Sequence, residues 1–442
     1  MTVSLTEGKI TKNLVLFSIP LILGNLLQTL YNTADSIIVG RFLGQQALAA
    51  VGSAYSLMTF ISSILIGLTL GSGIVFSYLH GSGEKEKYKR ALALSFSFIF
   101  ILSLLITAIC YAFIDQILTF QQVPFEIREM MKEYLLVIFS GIIATFIFNF
   151  YSTVLRSLSE STIPLAAMAI SAVMNVALDL YFVASLGWGI WGAAFATVIS
   201  QYLSAVFLLS YTAIKKIDAR FGLKNLSFDR ALLSEISRIS IITSAQQSVM
   251  NFGILLVQGL VNSFGTVTMA AFSAGVKIDS FAYLLLQEFS NALSFFISQN
   301  MGAGKKDRAR KGILSAAVLI SVFSLLSSIV IVRNSQLFAS LFISSNHAVI
   351  EICSRYLLLE GSFYILIGFL FMFYAIFRSL KMPSVSLVLT IISLGLRVIL
   401  AYMLSKTALL SDGIWISIPL GWAIADTAGI LFFFFKCRKK AL

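Results

Sequence analysis

Two carboxylates stand where an apolar sequence should hold none. Asp35 lies in PLILGNLLQTLYNTADSIIVGRFLGQQALAAVG, residues 20–52, and Asp179 closes NVALD at 175–179. An Asp inside a membrane helix costs roughly 2.5 to 3.5 kcal/mol on insertion scales, so its first reading is an ion, proton or substrate site. Asn175 stands four residues before Asp179 on the same helix face, and Met168, seven further back, continues that face. Counting inward from the helix ends puts Asp35, Asp179 and Thr197 within roughly 5 to 10 Å of the outer edge of the bilayer, with Asn175 and then Asn149 deeper. Two acids close together in a low-dielectric cavity cannot both stay charged cheaply. One takes up a proton, or a monovalent cation bridges them, and Asn and Thr oxygens complete either kind of site. Gln28 and Tyr31, seven and four residues before Asp35, share its face and are candidates to line a cavity for a large amphipathic ligand. Glu288, deep in a later helix, is a further candidate for a substrate or coupling site, and Asp426 and Arg397 are spaced to pair structurally. The alternative is that Asp35 snorkels to the interface and Asn175 to Asp179 is an interhelical clasp, worth about 0.6 kcal/mol.

The elements that must hold these residues are membrane helices. Of 442 residues, 58% are hydrophobic and 12% charged, with a mean hydropathy of +0.92. That composition fits an all-α integral membrane protein, because apolar runs of the roughly 20 residues needed to cross a bilayer recur throughout. Hydropathy and breakers place twelve spanning helices near 14–38, 47–79, 90–114, 134–156, 163–186, 190–213, 238–262, 267–300, 312–333, 354–377, 384–405 and 413–435. The expected organisation is a six-helix lobe at 1–214, a polar linker at 215–237 in which ALLSEISRIS forms a short surface helix, and a second six-helix lobe at 238–442. Seven segments on one side of this layout hold 24 of the 32 Lys and Arg, which puts both termini in the cytoplasm. The net charge of +12 is thus a topology signal, and nucleic acid is not an expected partner. The three cysteines lack metal spacing, and His80 and His347 fall on opposite sides, so neither a metal site nor a catalytic residue is expected. The polar start of the chain carries no small-residue cleavage site, so no removable signal peptide is expected. Glycines such as Gly71 and Gly73 are expected at close helix contacts.

The chain repeats itself. GQQALAA at 44–50 matches GTVTMAA at 265–271, Gly81-Ser-Gly83 matches Gly302-Ala-Gly304, Arg156-Ser-Leu158 matches Arg378-Ser-Leu380, and Gly189-Ile-Trp191 matches Gly413-Ile-Trp415, at spacings of 221 to 224. Six helices per copy bring both copies in from the same side, so two bundles related by a pseudo-twofold axis along the membrane normal are expected. The duplication is an internal control: Asp35 maps to Leu256, Asn149 to Phe371, Asn175 to Arg397, Asp179 to Ala401 and Thr197 to Gly421. The fold does not require these polar groups.

YNTADSIIVGRFLG, ALAAVG, Arg156-Ser-Leu before a proline, NVALD, GAAFATVISQ at 192–201 and QNMGAG at 299–304 resemble the multidrug and toxic compound extrusion (MATE) family over nearly the whole chain. The resemblance implies a proton or sodium ion moving inward to drive an organic, often cationic, compound outward, with no other cofactor. It implies that Asp35, Asn149, Asn175, Asp179 and Thr197 form the first-lobe cation network, and that Pro20 is a hinge whose helix bends as that network changes occupancy. Some branches add acids in helices seven and ten; here helix seven offers Gln246 and Gln247, and the interior of helix ten after Glu360 has none. The implied setting is the inner membrane of a prokaryote, with small-molecule drugs as partners and a single chain as the working unit. A flippase for a lipid-linked oligosaccharide is the competing expectation, although such proteins need several buried cations for a pyrophosphate.

Overall fold

The computed structural model describes residues 4–215, 228–343 and 346–437. Its helices are α1 (Ile10–Leu43), α2 (Gln45–Ser82), α3 (Lys85–Ala112), α4 (Ile114–Phe120), α5 (Phe125–Ile138), α6 (Ile142–Ser157), α7 (Thr162–Asp179) and α8 (Gly189–Ile214). After these come α9 (Arg230–Asn262), α10 (Thr266–Gly302), α11 (Lys306–Arg333), α12 (Ser335–Phe342), α13 (His347–Gly361), α14 (Tyr364–Ser379), α15 (Pro383–Leu404) and α16 (Ser411–Phe432). Ten spans are long and apolar enough to cross a membrane, with α5 and α6 forming one of them through a tight turn at Phe139–Gly141. A further span is the pair α13 and α14, bent by 52°. Helix α9, at 33 residues, is long enough as well, but its many Ser, Thr, Gln and Asn residues make it less apolar. Together these are the twelve helices that hydropathy places, and no strand occurs among the described residues.

Backbone landmarks repeat as the sequence does. Gly44 and Gly265 sit at φ 88° and 91° before α2 and α10. Gly83 and Gly304 follow those helices at φ 74° and 71°, a left-handed geometry that glycine alone adopts at no steric cost. Ser159 and Lys381, 222 residues apart, take φ 65° and 58° at the same tight turn after α6 and α14.

Packing divides the chain into two compact units. The first gathers Ile19–Ser244, the second Ser4–Ser18 with the residues from Ala245 onward. Both cuts fall inside continuous helices, α1 and α9, so these units differ at their edges from lobes drawn at 214 and 238. Of the segment 215–237, residues 216–227 lie outside the described residues. The short surface helix expected of ALLSEISRIS is a correction: residues 231–240 are the first turns of α9. Leu232, Ile236 and Ile239 recur at helical spacing and are buried in the first unit's core, which a helix lying on the membrane surface would not allow.

Small residues make that contact close. A Cβ on Gly67 would sit 2.3 Å from Ser244 Cα, and one on Gly71 would sit 2.6 Å from Ser240 Cα. The Ser72 and Ser240 hydroxyls meet at 2.9 Å, and Ser244 Oγ donates to the Ile64 carbonyl at 3.0 Å. Four-residue spacing on both helices lets the two backbones approach, the usual means of association in lipid. Gly71→Val should therefore cost about 1–3 kcal/mol or more through overpacking. A thermal melt of the detergent-purified variant checks this against Gly24→Ala, where nothing lies within 4 Å of the added atom and no shift is expected.

Candidate functional site

The first unit assembles four of the polar residues singled out from sequence. Asp35 comes from α1, Asn175 and Asp179 from α7, and Thr197 from α8. Helix α1 runs on past Arg41 to Leu43, where Gly44 turns the chain, so Asp35 lies eight residues from the helix end, about 12 Å along the axis. This is deeper than hydropathy alone suggests, because a terminal Arg can remain helical while its charge reaches the interface. Helix α7 ends at Asp179 and widens into a π-turn at Leu180–Ser185, a distortion found often at functional sites. Helix α8 is tied to α7 by Ser171 Oγ donating to the Ser200 carbonyl at 2.8 Å.

Asp179 is 0% exposed, Asn175 1% and Asp35 8%. The carboxyl groups of Asp35 and Asp179 are neighbours. Asn175 donates Nδ2 to Thr197 Oγ1 at 3.3 Å, and Thr197 donates to the Ala193 carbonyl at 3.1 Å. That fixes the amide with its oxygen as an acceptor. Asp35 Oδ1, both Asp179 oxygens and Asn175 Oδ1 are sealed from solvent and accept no hydrogen bond. A buried, oxygen-rich and donor-poor group of this kind is completed chemically by a proton or a small cation, and by little else.

Around it, Tyr134 of α5 reaches Thr197 and both acids. Tyr31 contacts Gln28 and stands beside Asp35; both are half-buried, as is Met168 two turns before Asn175. Asn149 donates its amide back to the Thr145 carbonyl of its own helix at 2.8 Å and stands outside the hydrogen-bonded group. Pro20 lies in α1 one residue past the change of unit between Ser18 and Ile19, where its ring removes the hydrogen bond to the Leu16 carbonyl.

The second unit holds acids of a different character. Glu288 is buried and accepts from Asn291 Nδ2 at 3.0 Å; Asn291 Oδ1 accepts from Arg378 at 3.0 Å, and Arg378 also donates to Ser294 Oγ at 3.1 Å. Glu288 therefore belongs to a polar chain that includes the arginine of the repeated Arg-Ser-Leu motif. Nearby in sequence, Asp279 accepts from the Tyr364 hydroxyl and Glu360 from the Tyr283 hydroxyl. Tyr356 adjoins both acids, and Arg397 lies within electrostatic reach of Glu360 without an ion pair between them. The pairing of Asp426 with Arg397 is a correction: no ion pair joins them among the described residues, Arg397 acts electrostatically on Glu360 instead, and both Asp426 oxygens accept no hydrogen bond. Lys277 is exposed on α10. Among the described residues no group of three or more His, Cys, Asp or Glu is arranged to hold a metal.

Comparison with known proteins places this architecture. The MatE family profile matches residues 20–181 and 240–403, one match in each half. The chain belongs to the MatE family. It is 28% identical to the probable multidrug resistance protein YpnP of Bacillus subtilis strain 168, covering 97% of this chain and 96% of that one. It is 27% identical to the FAD transporter of Shewanella oneidensis, covering 89% and 87%. An outward-facing structure of a multidrug resistance MATE family transporter superposes with a TM-score of 0.94 at 26% identity, over 100% of this chain and 99% of that one. The protein is a multi-pass membrane transporter.

For this MatE chain, sequence reasoning finds the first-unit acids and passes over Tyr134, Tyr283, Tyr356, Tyr364 and the Asp279 and Glu360 pair. Tyr134 has no signal, being a lone tyrosine in EYLLVIF. The second cluster has one: Tyr356, Glu360 and Tyr364 recur every four residues, as do Asp279 and Tyr283. The two units predict opposite responses. Arg397→Met removes the positive charge that acts on Glu360 and should lower the melting temperature, whereas Asp179→Asn relieves an uncompensated carboxyl and should leave the melting temperature unchanged or raised. Parallel thermal melts check this; shifts in the same direction would contradict it.

Proposed function

We propose that this MatE chain is a cation-coupled multidrug antiporter, in which a proton or sodium ion enters and an organic, often cationic, compound leaves by alternating access. The observation that carries this reading is the donor-poor cluster of Asp35, Asp179 and Asn175. Its oxygens need a positive charge that the protein does not supply, so the occupant is exchangeable by construction. One oxygen of Asp279 and one of Glu360 each accept from a phenol, with Arg397 within electrostatic reach, whereas Asp35 Oδ1 and both Asp179 oxygens accept nothing, which supports the first unit as the coupling site. Tyr31 and Tyr134 stand beside the acids, and Gln28 and Met168 lie further along the acids' own helices, as candidate drug contacts, so drug and cation would compete. Pro20 gives α1 a break in its hydrogen-bond ladder at which occupancy of Asp35 would be felt as bending.

The cycle follows from electrostatics. A neutralised site lets the cavity close on apolar walls, and release of the cation leaves carboxylates that favour a cationic drug. The Lys and Arg asymmetry supports cytoplasmic termini in a prokaryotic inner membrane. A single chain would suffice, with no cofactor beyond the coupling ion. A flippase would need free buried cations for a pyrophosphate, but Arg378 donates to Asn291 and Ser294, and Arg397 faces Glu360.

The test is dye efflux from proteoliposomes under an imposed proton or sodium gradient, with a lipophilic cation and with FAD as alternative cargo. Asp35→Asn and Asp179→Asn should each abolish gradient-driven flux while inserting normally. Undiminished flux in Asp35→Asn would overturn the reading.

A further inference from the structure

A basic cavity in the second unit carries an inference independent of the coupling site. It has a volume of about 760 Å³ and lies between the start of α1 and the first turns of α11. Four of its lining residues, Lys9, Lys12, Arg308 and Lys311, are cationic, and none is Asp or Glu. Arg308 builds the wall. Its Nε donates to the Leu5 carbonyl at 3.2 Å and its two terminal nitrogens to the Gly8 and Glu7 carbonyls at 2.8 and 2.6 Å. Lys305 Nζ reaches the Thr6 carbonyl at 3.1 Å, and Asn300 Nδ2 the Leu5 carbonyl at 3.1 Å. The segment before α1 is thereby fastened onto the ends of α10 and α11.

Lys9, Lys12 and Lys311 are exposed, and none forms an ion pair among the described residues. The duplicated half provides the contrast. The stretch equivalent to 305–311 is 84–90, where Lys87 pairs with Glu84 and Lys89 with Glu86, each at 3.5 Å. There two of the lysines are paired with acids; in 305–311 the one acid, Asp307, forms no ion pair among the described residues, and Glu7 acts on Arg308.

An apolar track leaves the cavity. Leu314, itself a lining residue, is 62% exposed, and Val318 at 64%, Val322 at 46% and Leu325 at 51% follow it at helical spacing along α11. Cationic groups at the Lys- and Arg-rich end of a membrane bundle, above a strip of lipid-facing aliphatic side chains, match the two ends of one molecule. We propose that this cavity is a binding site for an anionic phospholipid. The phosphate sits among Lys9, Lys12 and Lys311, the start of α1 turns its unpaired N–H groups toward the same charge, and an acyl chain lies along Leu314, Val318 and Val322. A bound lipid would bridge α1 to α11 beside the Thr11 to Ser315 hydroxyl contact of 3.4 Å. It would hold the stretch of α1 before Pro20 on the second unit.

The experiment titrates the detergent-purified full chain with phosphatidylglycerol, phosphatidylcholine or inorganic phosphate and reads melting temperature, with native mass spectrometry counting retained lipid. Phosphatidylglycerol should raise the melting temperature saturably and remain bound, while phosphatidylcholine and millimolar phosphate should not. Lys12→Gln with Lys311→Gln should weaken apparent affinity on the order of tenfold, because each removes one surface-accessible charge. Its melting temperature without lipid should match wild type. Lys87→Gln with Lys89→Gln in the first half should keep the full response. Equal stabilisation by phosphatidylcholine, an equal effect of phosphate alone, or an unchanged response in the Lys12 and Lys311 variant would each overturn the proposal.

Discussion

Burial of two adjacent carboxyl groups without hydrogen-bond donors is the constraint on which the rest depends. Asp35 and Asp179 are held there by geometry that neither can escape: Asp35 is well inside α1, and Asp179 ends α7 where the π-turn begins. Their deficit of positive charge is local in a low-dielectric setting, and in the proposed antiport an exchangeable proton or sodium ion fills it. Thr197 takes the donor end of Asn175 and leaves its oxygen as acceptor, and Asn149 spends its amide on Thr145.

The duplication shows how the same scaffold was put to a second use. Positive-φ residues recur at matching places, and Tyr134 in the first copy corresponds to Tyr356 in the second, each beside a pair of acids. Where the first copy has Asn175 against Thr197, the second has Arg397 against Gly421. A Cβ on Gly421 would stand 3.4 Å from Arg397 Cβ and 2.6 Å from the Ser393 carbonyl, so loss of the side chain makes room for the arginine. The second copy thereby places Arg397 within electrostatic reach of Glu360, and the Tyr364 and Tyr283 hydroxyls each donate to one oxygen of the acid pair, leaving Asp279 Oδ2 and Glu360 Oε2 without a partner. The second acid pair is thus partly satisfied by its own neighbours, and the first is not.

Much of this was legible before any coordinates. Apolar runs locate the twelve helices, since membrane helices must satisfy their backbone internally and so announce themselves by composition. Acids in such runs are rare enough that Asp35, Asn175 and Asp179 stand out, and helical spacing already puts the last two on one face. Helix ends were less readable, because apolarity stops short of the hydrogen-bond ladder: α1 extends past Arg41, and α9 begins within a stretch that reads as polar linker. Contacts across helices were the least readable. Nothing local distinguishes Tyr134, or tells that Arg397 faces Glu360 rather than Asp426, because both depend on how separate helices pack.

The most direct measurement is cation release on drug binding. Purified protein in weakly buffered detergent solution is titrated with a lipophilic cation while a pH indicator and a sodium electrode record what leaves. The account expects one of the two ions to be released by wild type and by Asp279→Asn, and neither by Asp35→Asn or Asp179→Asn. Release that persists in Asp35→Asn, or that disappears only in Asp279→Asn, would place the exchangeable charge elsewhere and contradict the account.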